Sequence, residues 1–336
     1  MSMPAGEMAV ASENKGAQEF QAEEGTTAIQ GRSLRVIAWR RLKKDRVAMV
    51  GGIVALLLVL VAIFAKQLCE IYGKTPNVSF PKLTDPSTTM PLGKFGGISG
   101  AHWVGVTPIS GNDILAQLIY GARTSLLIAS LATALSLLFG VGLGTIAGFY
   151  RGFGDTMISR FMDLLLSFPT LLFSIALLTI FSIVPSFLGL SGQPLRFAVI
   201  IFVLGFFGFA YIGRIVRGQV LSIREKEFVD AARSLGASNF RIMTREIMPN
   251  LMGPILVYTT LTVPNYILGE AALSFLGVGI LPPTPSWGGM LSDAGNYFQV
   301  DPMYLIAPGI AIFIAVLSFN LFGDGLRDAL DPKSAR

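Results

Sequence analysis

The chain has 336 residues, 52% of them hydrophobic and only 14% charged, with 26 Lys and Arg against 21 Asp and Glu. A soluble domain carries about 25% charged residues, so this composition, with a mean hydropathy of +0.62, excludes an ordinary globular enzyme and indicates an integral membrane protein. One cysteine and one histidine, Cys69 and His102, exclude an intrachain disulfide and fall short of a zinc site built on Cys and His. Both read as ordinary residues near the outer surface.

In chain order, residues 1–30 are rich in Ala, Gly, Glu, Gln and Ser and bury nothing, which predicts a disordered cytoplasmic tail. A basic N-terminal segment and first transmembrane helix follow over 31–68. Their apolar run starts too late, and is too long, to be the core of a cleaved signal peptide. Runs of about 20 apolar residues, enough to cross a bilayer, fall at 47–68, 124–149, 157–183, 197–216, 250–276 and 303–322. The reading is therefore an all-α integral membrane protein with six transmembrane helices. The segment 69–121 is external and too long for a simple connection, which predicts an ordered cap. Residues 122–323 make a core of five spans with a polar loop at 224–249, and 324–336 form a C-terminal cytoplasmic tail.

Lys and Arg set the orientation. Arg32, Arg35, Arg40, Arg41, Lys43, Lys44 and Arg46 precede the first span, and Arg214, Arg217, Arg224, Lys226, Arg233, Arg241 and Arg245 surround the polar loop, whereas 277–302 has neither Lys nor Arg. With an even number of spans, both termini and the loop lie in the cytoplasm. The basic character thus reflects topology, and no soluble module interleaves basic with aromatic residues as a nucleic-acid partner would require.

Within the loop, Phe228, Ala231, Ala232 and Leu235 recur at helical spacing while Glu227, Asp230, Arg233 and Ser234 fall largely on other faces, predicting a short amphipathic helix. Gly236 suits the left-handed residue that ends it. Ser238 or Asn239 caps a second short helix carrying Phe240, Met243 and Ile247 on one face, and Pro249 opens the fifth span. Such a unit also fits a solvated helix lying on the membrane surface.

Asp230-Ala231-Ala232, three residues, Gly236, nine residues, then Glu246-Ile247-Met248-Pro249 resembles the EAA loop of bacterial ABC importer permeases. Asp230 stands where Glu is usual, and Met248 where Leu is. Tyr120-Gly-Ala-Arg-Thr-Ser-Leu126, Ser274-Phe-Leu-Gly-Val-Gly279, Pro282-Pro-Thr-Pro-Ser-Trp-Gly-Gly-Met290 and Phe319-Asn-Leu-Phe-Gly-Asp-Gly-Leu-Arg-Asp-Ala-Leu-Asp-Pro332 resemble the C-type permease of the dipeptide, oligopeptide and nickel importers. Gly105-Val-Thr-Pro-Ile-Ser-Gly-Asn-Asp113 departs from that family's pattern.

The resemblance implies a type I ABC importer permease (MetI-like) fold in a bacterial inner membrane, without catalytic residues or a metal. It also implies a B-type permease partner, two cytoplasmic ATPases that bind ATP and magnesium, and an external solute-binding protein. Glu227, Phe228, Asp230, Ala231, Ala232, Arg233, Leu235, Gly236 and Pro249 would then form the ATPase-coupling surface. ATP binding would close the ATPases and swing the spans from inward-open to outward-open, and hydrolysis would reset them. Short peptides are the expected cargo.

Pro169 and Pro264 each remove a backbone donor inside a span and predict kinks. With Asn265 and the ionisable Glu270 they are candidates for a translocation path. The plain alternatives are packing for the prolines and, for Glu270, contact with water at the outer interface. Gly140, Gly144 and Gly148 predict close helix packing. Gly73-Lys74-Thr75 ends like a phosphate loop but has Leu68 where its first glycine belongs, and Glu270-Ala271-Ala272 repeats the loop motif at the outer end of the fifth span. Gly189-Leu-Ser-Gly192 resembles a serine-protease motif but falls in a loop far in sequence from His102. Trp39, Trp103 and Trp287 fit interface anchors or substrate contacts equally. The alternative class is a secondary transporter of small polar solutes, for which only Asp163 and Glu270 offer coupling charges.

Overall fold

The computed structural model describes residues 34–330 except 94; the tail expected at 1–30 lies outside them. Helix α1 (Leu34–Lys44) ends where the Asp45 carboxylate accepts from Val47 N at 2.9 Å and Ala48 N at 3.0 Å, capping α2 (Arg46–Ile63). After Phe64 comes α3 (Ala65–Tyr72), closed by Gly73 in the left-handed region. The first expected span is thus two helices.

Helix α4 (Ile114–Phe149) packs along its length against α7 (Gly192–Ile223), which runs parallel beside it. Their seam is made by small residues. A Cβ placed on Gly140, Gly144 or Gly148 would stand 2.8 Å from Ile212 Cγ2, 2.5 Å from the Gly213 carbonyl and 2.7 Å from Val220 Cβ, whereas Gly142 faces open space. The stripe packs helix on helix, as its spacing predicts.

The third expected span, 157–183, is not one kinked helix. Helix α5 (Phe153–Ser167) and helix α6 (Thr170–Ile183) meet at 82° across Phe168 and Pro169. A residue before proline is pushed to extended backbone, and Phe168 takes φ −79° and ψ 135°. The Gly189 region, expected as a loop, is a two-residue hairpin, β1 (Ser186–Phe187) against β2 (Leu190–Ser191).

After α8 (Glu227–Ser234), one helix, α9, runs from Asn239 to Phe275. The short second helix expected after the glycine is the start of that span. A π turn at Ile242–Ile247 precedes Pro249, which lies in the next turn and brings no N–H to the ladder. Pro264 is accommodated inside α9 without a break. Helices α10 (Trp287–Ala294) and α11 (Pro302–Leu330) follow, with α11 helical past 322 through the start of the segment read as the tail. Among the described residues, five helices are long and apolar enough to cross a membrane, and the α5–α6 pair makes a sixth if counted as one span.

The ends of the bundle differ. The start of α2, the end of α11 and the polar hairpin lie at one end, where Gly325 packs on Ala48. At the other, residues 74–113 form a cap held by bridges pairing Ser79 with Asn112 and Val106 with Asp113. Cys69 and His102, expected near the outer surface, are 1% and 4% exposed. His102 Nδ1 lies 2.7 Å from Asp113 Oδ2, which also accepts from the Tyr72 hydroxyl at 3.0 Å. Asp113 Oδ1 accepts from Ala116 N at 2.8 Å and so caps α4, fastening cap to bundle through one carboxylate. Burial pushes the Tyr72 hydroxyl up to about 12 and keeps it a donor.

Candidate coupling surface and passage

Helix α8 is anchored by a residue its apolar spacing did not single out. Val229 is fully buried among Phe149, Val216, Val220, Ile242, Ile247 and Leu251, from the ends of α4, α7 and α9. Arg224, 7% exposed, donates to the carbonyls of Gly148 at 2.9 Å and Phe149 at 3.0 Å, satisfying the last turn of α4, where the helix dipole also favours a cation. In the sequence Arg224 counts only as one basic residue among seven, because nothing local indicates which one turns inward.

The far end of α8 is a Schellman motif. Ala237 N donates to the Ala232 carbonyl and Gly236 N to the Arg233 carbonyl, both at 3.0 Å, and Gly236 has φ +79°. Ser238 Oγ accepts from Arg241 N at 3.4 Å to start α9. With Val229 held inside, the predicted apolar set turns outward. Phe228 is 41% and Leu235 87% exposed, Ala231 is exposed and Ala232 half-buried. Glu227, Asp230 and Arg233 form an exposed rim, with Asp230 and Arg233 3.1 Å apart. The face expected from Phe240, Met243 and Ile247 does not form, since Phe240 is 72% exposed and Ile247 buried. Pro249 is exposed on α9, just past its π turn.

The other four candidates separate into two pairs. Pro264 and Glu270 are buried within this chain, whereas Pro169 and Asn265 are exposed. Glu270 does not reach water, contrary to the plain reading of its position near a span end. Its Oε2 accepts from Ser125 Oγ at 2.6 Å and its Oε1 from Ser274 Oγ at 2.7 Å. Those hydroxyl oxygens in turn accept from Trp287 N at 3.3 Å and Ile280 N at 3.0 Å. Glu270 therefore fastens α4, α9 and the segment before α10 to one another. Trp287, 1% exposed with its indole donating to the Leu118 carbonyl at 3.1 Å, is a core residue rather than an anchor or contact.

A bundle of long apolar helices with a cap at one end and an anchored amphipathic hairpin at the other defines a multi-pass membrane protein. Residues 140–336 match the family described as binding-protein-dependent transport system inner membrane component, and 33–82 match the N-terminal TM domain of oligopeptide transport permease C. The chain belongs to the binding-protein-dependent transport system inner membrane component family. It is 42% identical to the dipeptide transport system permease protein DppC of Alkalihalophilus pseudofirmus over 88% of this chain and 89% of that protein. It is 35% identical to the glutathione transport system permease protein GsiD of Pectobacterium atrosepticum over 88% and 90% of the two chains, and 36% identical to that of Escherichia coli over 88% and 89%. Its fold is that of a chain of the inward-facing MetNI methionine ABC transporter, with a TM-score of 0.53 at 17% identity over 65% of this chain and 98% of that one. The protein is a multi-pass, non-catalytic permease subunit of an ABC importer, a machine that also needs an ATPase and a binding protein.

Proposed function

We propose that this chain is the C-type permease of a bacterial inner-membrane importer of short peptides. It pairs with a B-type permease, both termini lie in the cytoplasm, and two cytoplasmic ATPases that bind ATP and magnesium receive α8. The hairpin carries the reading. Phe228, Ala231 and Leu235 offer an apolar face within a rim of Glu227, Asp230 and Arg233, the shape of a helix that seats in a groove. Gly236 lets the groove wall approach the backbone, Ala232 lies half-buried against the Val229 cluster, and Pro249 is exposed on α9. Because Val229 and Arg224 tie α8 to the ends of α4, α7 and α9, a displacement of the ATPase moves those spans as one body. ATP binding then favours the outward-open state, and hydrolysis restores the inward-open one. A peptide cargo is supported by the dipeptide and glutathione systems that give the relatives their names.

Leu235→Asp tests the coupling role without disturbing the fold, since Leu235 is 87% exposed. The variant should insert normally but lose the ATPases on purification in mild detergent, and peptide uptake with them. Full ATPase recovery together with normal uptake would overturn the assignment.

A further inference from the structure

The break between α5 and α6 lies at half the depth of the bundle. Phe173, on the first turn of α6, has its ring 4.8 Å from that of Phe207, which stands halfway along the 32 residues of α7. At the same level the Tyr266 hydroxyl covers Gly208 and lies 2.5 Å from Ser136 Oγ, so the neighbouring Asn265 is at half depth too. Ser167, Phe168, Pro169 and Thr170 are all exposed, α6 begins with no side-chain cap, and Asn265 is exposed.

That combination does not suit lipid. A helix terminus leaves its first N–H and last C=O groups unpaired, and irregular backbone at membrane depth is tolerated only inside protein or against water. The lipid-type surface of this chain looks different. Helix α2 exposes Val47, Val50, Ile53, Leu56, Leu57 and Leu60 on an unbroken ladder. A polar side chain at the same level as the break points the same way, because exposed polar groups within the membrane mark solute pathways.

We infer that the broken backbone of Ser167–Thr170 and the amide of Asn265 form a wetted wall of the translocation passage, at the middle of the membrane. The inference rests on the importer reading and deepens it. The passage is lined by the two exposed candidates, Pro169 and Asn265, while Glu270 and Pro264 stand behind the wall.

Thiol labelling of the assembled importer in lipid nanodiscs tests this. In a Cys69→Ala background, Ser167→Cys, Thr170→Cys and Asn265→Cys are exposed to a charged methanethiosulfonate, which reacts only with thiols that can ionise in water. Leu56→Cys serves as the lipid-facing control and Ile71→Cys, at a position 84% exposed beside the cap, as the aqueous one. The three test positions should label about tenfold or more faster than Leu56→Cys. Rates as slow as that control at all three would overturn the inference, whether lipid or the second permease covers the break. Uptake by the same preparations keeps the two readings apart: slow labelling in an importer that still transports refutes the wetted wall alone.

Discussion

Replacing Glu270 by Gln tests whether one buried carboxylate organises the cap end of the bundle. Ser125 Oγ and Ser274 Oγ both donate to it, at 2.6 and 2.7 Å, while each hydroxyl oxygen accepts from the main chain of the 280–287 segment. Glutamine keeps one acceptor oxygen and turns an NH2 toward the other serine, whose hydroxyl proton then has no partner. Leaving such a buried donor unsatisfied costs about 1–3 kcal/mol. Glu270→Ala orphans both hydroxyls and opens a cavity, so it should cost more than Gln. Unfolding of the purified complex, with Ser125→Ala closing a double-mutant cycle, should give the order wild type, Gln, Ala and a coupling of about 0.5–3 kcal/mol between Glu270 and Ser125. Proteolysis between Ile280 and Trp287 should quicken in the same order. A Gln variant as stable as wild type, with additive effects in the cycle, would refute the idea that the two serines depend on this acceptor.

Along the α4–α7 seam, Gly144→Ala drives a methyl to 2.5 Å from the Gly213 carbonyl and should destabilise by about 1–3 kcal/mol. Gly142→Ala meets nothing within 4 Å and should stabilise by about 0.5–1 kcal/mol through helix propensity, so a common sign in thermal unfolding would contradict the packing model. At the hairpin, Gly236→Trp places a bulky L-residue at φ +79° and should weaken ATPase recovery and uptake while membrane insertion, read by fractionation, stays normal. Burial raises the Asp301 carboxyl, which is fully buried just ahead of α11 with Oδ2 unpartnered. A carboxyl raised in the folded state contributes stability at pH below its unfolded value and loses it as pH climbs through the folded one. Asp301→Asn, which can still accept from Tyr304 N as Asp301 does at 3.3 Å, should therefore raise the melting temperature at neutral pH and lose that advantage in mild acid. An equal gain at both pH values would exclude titration as the cause.

Much of this protein is legible in one dimension because the bilayer imposes a one-dimensional rule: a span must be apolar for the thickness of the hydrocarbon. The long helices, the glycine seam of Gly140, Gly144 and Gly148, and the left-handed turn at Gly236 follow from composition and spacing at those positions. Tertiary structure decided what depends on neighbours distant in sequence. Helical spacing grouped Phe228 with Leu235 but could not say whether that face turns in or out; Val229 took the inner position because the ends of α4, α7 and α9 converge on it. Glu270 lies near the end of an apolar run, a place where water is normally within reach, yet Ser125, 145 residues away, and Ser274 enclose it. Pro169 and Pro264 look alike in sequence, but the first separates two helices by 82° and is exposed, whereas the second stays inside one helix and is buried by packing within its own chain.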